Sequence, residues 1–96
     1  MTTTLQQDLA NSLKSYSIAI DYWEPLAGDT FLYIGHRQFL QAHWDDLSDA
    51  QKKTLAAADK KALALAAAHY EEVTEDVEDL RLIADIIQGD AGQKAA

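Results

Sequence analysis

The sequence predicts an all-α protein, a small antiparallel four-helix bundle, and three observations carry that prediction. Apolar residues recur at steps of three and four along most of the chain, which is the spacing of amphipathic helices. Two capping-box patterns, Thr4-Leu5-Gln6-Gln7 and Ser48-Asp49-Ala50-Gln51, mark helix starts: the hydroxyl takes one free N–H, and the Gln three residues on reaches back to the cap's own amide. Breakers are scarce and local, because the single Pro shares residues 24–30 (EPLAGDT) with a Gly, while residues 48–88 hold neither.

A first helix is predicted over residues 4–23. Leu5, Leu9, Leu13, Tyr16, Ile20 and Trp23 fall within about 80° of arc at 100° per residue. Pro25 ends it, since the residue before a proline is pushed out of the helical region. Residues 24–30 form the one clear loop, with Asp29 or Thr30 as the next cap. The second helix spans 30–47, with Leu32, Phe39, Leu40, Trp44 and Leu47 on its apolar face. Phe31 to Ile34 alone would also suit a short strand, but the phase shared by Leu32, Phe39 and Leu47 over four turns favours helix. Gly35 inside it marks a close helix contact or plain tolerance.

The third helix starts at the second capping box and runs over 49–71, and the fourth covers 74–88. One stripe (Leu55, Ala58, Ala62, Leu65 or Ala66, His69, Val73, Val77, Leu80, Ala84, Ile87) passes through both in phase, so the two are either separate or one long helix. Unbroken, they would span roughly 60 Å at 1.5 Å per residue, against a radius of gyration of about 12–13 Å for a compact chain of this size. Either the segment folds back or the protein is an elongated oligomer. The acid-dense stretch after Glu71 is the favoured break. There Thr74 can cap, and Glu75, Asp76 and Glu78 would sit at the positive end of a new helix dipole. Gly89 closes the last helix, and 90–96 reads as a frayed tail.

Composition bounds the rest. Ninety-six residues make a single domain, 1–96. Sixteen acidic against 8 basic side chains leave a net charge of −8, which repels phosphate backbones and anionic lipid heads. No direct nucleic-acid partner and no membrane is therefore expected, whereas a basic protein partner is favoured. The absence of cysteine excludes disulfides, thiolate metal sites and cysteine catalysis. Residues 1–14 carry no signal-peptide pattern and no apolar run is long enough for a span, so a cytoplasmic location is expected.

Candidate chemistry is sparse. His36, His43 and His69 all fall on apolar faces, which suggests either satisfied core histidines or a His-lined interior that binds a metal or small ligand. His36 and His43 are about 10.5 Å apart along the helix axis, too far to ligate one ion at Zn–N distances of about 2.0–2.1 Å. A site would have to combine one of them with His69 or with carboxylates such as Asp21, Glu24 or Asp59. Glycine-rich phosphate loops, nucleophile elbows and H-E-x-x-H pairs are missing, so neither catalysis nor a cofactor is expected.

Two surfaces stand out instead. Glu71, Glu72, Glu75, Asp76, Glu78 and Asp79 could dock a basic partner, or simply form a solvated helix junction. Ile18 with Tyr22, and Leu82 with Ile86, are apolar pairs at four-residue spacing off the main stripes, and merged they would make a patch that needs covering. The expected function is a non-catalytic helical protein–protein interaction or regulatory module that self-associates as a homodimer. The alternative is a ligand- or metal-binding bundle using the histidines.

Overall fold

Thr4 opens the first helix as its spacing predicts, its hydroxyl accepting the Gln7 amide at 3.1 Å. In the computed structural model, which describes residues 4–24 and 28–95 with side chains as far as residue 89, four α-helices follow: α1 (Leu5–Asp21), α2 (Thr30–Ala42), α3 (Asp49–Ala68) and α4 (Glu75–Ala95). A 3₁₀ turn at Trp44–Asp46 links α2 to α3. No strand occurs among the described residues, and Phe31 to Ile34 is helical. Pro25, Leu26 and Ala27, the centre of the predicted loop, lie outside the described residues, as does Ala96.

Caps explain the boundaries. Ser48 and Gln51 form the complete capping box, with the Ser48 amide donating to Gln51 at 2.8 Å and the Gln51 amide to Ser48 at 3.1 Å. Thr74 caps α4 by accepting the Val77 amide at 3.2 Å. The chain therefore breaks between Ala68 and Glu75, and the overlong stripe is resolved by folding back. At its far end α4 continues through Gly89 to Ala95, where a stop and a frayed tail were expected. Gly89 is helical with no positive φ, so it does not close the helix.

Helix ends show how the elements run. The Trp23 indole, just past α1, touches Thr30 at the start of α2 and stacks edge-on against His69 at the end of α3. Thr30 in turn bonds Asp76 in the first turn of α4. At the other end Gln6 of α1 donates to the Asp46 carbonyl at 3.0 Å. Direction therefore alternates up-down-up-down, as predicted for the bundle. The closely packed pairs are α1 with α2, α2 with α4, α4 with α3, and α3 with α1. Thus α1 and α4 face each other across one diagonal, α2 and α3 across the other. The Cα extent is 17 Å along the thin axis against 40 and 37 Å along the others, enough for two helix layers at interaxial distances of about 8–10 Å.

The core is most of the predicted stripes, except that Leu5 and Val73 are exposed and the face of α2 is out of phase. Leu9, Leu13, Tyr16, Ile20 and Trp23 of the first stripe are buried, as are Leu55, Ala58, Ala62, Val77, Leu80, Ile83 and Ile87 further on. On α2, however, the buried positions are Thr30, Arg37 and Leu40. Leu32 is exposed and Phe39 only half-buried. The helix is turned by about one residue because an arginine, not a leucine, is drawn into the centre. No helix among the described residues is long and apolar enough to cross a membrane.

Candidate functional site

Two buried polar clusters organise the molecule. In the centre, Asp59 of α3 receives Arg37 of the diagonal helix α2 in a bidentate grip, Nε to Oδ1 at 3.0 Å and Nη2 to Oδ2 at 2.9 Å. Tyr16 of α1 adds its hydroxyl to Oδ1 at 2.8 Å, and Arg37 gives a further bond to Gln41 at 3.1 Å. Arg37 is only 1% exposed. Burial, with the Asp59 charge beside it, pushes the Tyr16 hydroxyl well above its ordinary pKa, so it stays a donor at neutral pH. A carboxylate holding three donors from two directions is a closed knot between helices, with its acceptor oxygens already committed.

The second cluster ties together the end where α1 and α3 finish and α2 and α4 begin. Trp23 Nε1 donates to Thr30 Oγ1 at 2.9 Å, and Thr30 Oγ1 donates to Asp76 at 2.7 Å. The Gly28 amide lies 3.1 Å from both Asp76 oxygens, and the Thr30 amide 3.4 Å from one. Asp76 therefore caps α2 from α4, whereas of the two expected caps Asp29 makes no cap bond and Thr30 is the first helical residue. Carboxylates are favoured at the positive end of a helix. The Thr30 hydroxyl, helped by the two amides and opposed by burial, holds the Asp76 carboxyl below the usual range. Asp79, one turn on, is raised by burial and by the charges of Asp76, Glu75 and Glu78.

Around this end the surface is apolar and acidic at once. Tyr22 is 80% exposed, Phe31 58%, Leu32 53%, Tyr70 72% and Val73 81%. Glu24, Glu71, Glu72, Glu75 and Glu78 are also exposed. Arg81 braces the α3–α4 turn by donating to the Tyr70 and Glu72 carbonyls and lies over the Tyr70 ring at 5.5 Å. Two open grooves reach towards this end. One of about 440 Å³ runs between α3 and α4 past Leu63, Ala67 and Ala84, and one of about 450 Å³ runs between α1 and α3 past Ile20, Ala64 and Ala68.

The predicted site residues are placed as follows. The histidines do not converge. His43 is at the α2–α3 end, half-buried against Phe39 and 3.2 Å from Asp46, while His69 is at the opposite end, paired with Glu72. His36 is half-buried on α2. A shared His-lined interior is thus absent among the described residues, and no three metal-ligating groups come together there. Of the acidic run, Glu71, Glu72, Glu75 and Glu78 face water, Asp79 is half-buried, and Asp76 is inside. Asp76 thus leaves the proposed docking surface, because it serves as the cap of α2. Ile18, Tyr22 and Leu82 are exposed and Ile86 half-buried. Their helices lie across a diagonal, so the pairs form two patches and do not merge.

Sequence reasoning passed over Arg37 and gave Thr30 only as a candidate cap, because an apolar stripe was sought and both are polar. The available signal was phase: Thr30, Arg37 and Leu40 are spaced as one helical face, and Asp59 stands inside the stripe beside Ala58 and Ala62. No family model matches the chain, and no curated protein or solved structure matches it.

Proposed function

We propose that the protein is a non-catalytic helical interaction module that self-associates. What supports the reading is the set of large apolar side chains left in water after the core has closed, Leu5, Ile18, Tyr22, Phe31, Leu32, Tyr70, Val73 and Leu82. Fully burying an exposed side chain of this kind is worth about 1.5–3 kcal/mol and these, already part-buried, would recover a fraction of that, so contact with another protein surface is favoured. The two interior polar clusters are bonded within the chain, and each is accounted for by joining helices.

Self-association draws on Ile18 and Tyr22 of α1 and on Leu82 and Ile86 of α4. In a two-fold dimer a patch meets its own copy, so each pair is a separate candidate contact. The α1 pair, with the more exposed Tyr22, is the stronger. Light scattering at micromolar concentration should give twice the 10.6 kDa chain mass. Ile18→Asp should return one chain with helicity intact by circular dichroism, and Leu82→Asp should have the smaller effect. A wild-type chain that stays single at every concentration would overturn self-association.

A further inference from the structure

Resting on the reading of the chain as an interaction module, we propose that the end of the bundle where α2 and α4 begin docks a basic amphipathic segment of another protein. Phe31 and Leu32 in the first turn of α2, and Tyr70 and Val73 at the α3–α4 turn, are all more than half exposed. The 2.7 Å bond from Thr30 to Asp76 holds the two groups at the same end. Its rigidity comes from the buried cap beneath, so the surface is preformed and little ordering is needed on binding.

Charge selects the occupant. Glu71, Glu72, Glu75 and Glu78 are exposed around these side chains, while of the six lysines, at positions 14, 52, 53, 60, 61 and 94, Lys61 reaches towards this end and is paired there with Asp21. Arg81, over the Tyr70 ring and bonded to the Tyr70 and Glu72 carbonyls, keeps its single positive charge but is outnumbered by these four glutamates, and Arg37 is buried in the centre. Helix dipoles add to the field. The C-termini of α1 and α3 meet here and neither has a basic residue in its last turn, whereas the positive starts of α2 and α4 already face Asp76 and α4's own acids. Negative potential around an apolar centre fits Lys or Arg flanking Leu- or aromatic-type anchors, the pattern of a basic amphipathic helix. A second copy of this chain seated on Phe31, Leu32 and Val73 would set Glu71, Glu72, Glu75 and Glu78 against their own copies and be repelled there, whereas the Ile18 and Tyr22 pair lies on α1, away from those four acids in the chain.

The test uses a synthetic helical peptide with Leu on one face and Lys on the other, and its counterpart with Glu in place of Lys, titrated by calorimetry into the intact chain. The Lys peptide should bind one to one and weaken with salt, as screening at a Debye length of about 10 Å in 0.1 M salt requires. Phe31→Ser with Val73→Ser should weaken it by about tenfold or more, the mark of an interface anchor. Glu71→Lys with Glu75→Lys, two exposed positions that leave the core untouched, should weaken it too, and Leu5→Ser at the opposite end should not. Equal binding of the Glu peptide, no binding of the Lys peptide, or binding indifferent to both double variants overturns the proposal. A chain that dimerises in light scattering yet ignores the Lys peptide defeats this docking surface alone, whereas a monomer that ignores it defeats the interaction-module reading as well.

Discussion

Asp59 answers to three helices at once, which makes it the residue whose loss should be felt most widely. Its carboxylate is buried and held by Arg37 and Tyr16, so Asp59→Ala would strand a guanidinium in the interior. Breaking a buried pair from one side costs about 3–5 kcal/mol, whereas replacing both partners by apolar residues is often neutral. Urea unfolding should therefore show a large loss for Asp59→Ala and recovery of most of it in Arg37→Met with Asp59→Leu and Tyr16→Phe, which leaves neither the guanidinium nor the Tyr16 hydroxyl stranded. Equal losses in the two variants would mean that the knot stabilises in its own right. Asp76 predicts a different dependence. Its folded pKa lies below the ordinary value, so its contribution is complete above an unfolded pKa of about 3.9 and fades as pH falls through that value towards the depressed one. The stability gap between the wild type and Asp76→Asn should be widest at neutral pH and close in strong acid. A gap unchanged by pH would deny the carboxylate its capping role.

Among the elements, α2 carries the clearest local test, because its glycine and the glycine preceding it ask for opposite things. Gly35 is exposed in the helix interior and a Cβ there meets nothing within 4 Å. Gly35→Ala should therefore stabilise by about 0.5–1 kcal/mol. Gly28 has φ +80 and gives its amide to Asp76, so Gly28→Ala should destabilise by about 1–2 kcal/mol. Thermal melts of the two variants should move in opposite directions. The same helix shows where the sequence was legible and where it was not. Existence, order and starts of the helices could be read because hydroxyl caps act within one turn, as at Thr4, Ser48 and Thr74. The face of α2 could not, because Arg37 enters the core only once Asp59 and Tyr16, on other helices, arrive to satisfy it. The cap of α2 was hidden for the same reason, since it comes from Asp76, 46 positions away. Such long-range partnerships leave no periodic trace. Local spacing likewise gave the exposed Ile18, Tyr22 and Leu82 correctly, but whether their helices were neighbours depended on the packing order.

On the scale of the whole molecule, the polar contacts that matter run between the two helical hairpins. Tyr16 and Arg37 belong to the first hairpin and Asp59 to the second. Trp23 meets His69, and Thr30 meets Asp76, across the same divide. Each half alone would keep part of a knot with no partner: an arginine without its carboxylate in one, a carboxylate without donors in the other. A chain of about fifty residues is also near the lower limit for burying enough surface to fold unaided. Two fragments, 1–47 and 48–96, should therefore be largely unstructured apart and should recover the helicity of the intact chain when mixed. Circular dichroism of each fragment and of the equimolar mixture measures this directly. Introducing Asp59→Ala into the second fragment should abolish the recovery, because the central knot is then incomplete on mixing. A first fragment as helical alone as within the whole chain would show that the hairpin, not the interlocked bundle, is the folding unit.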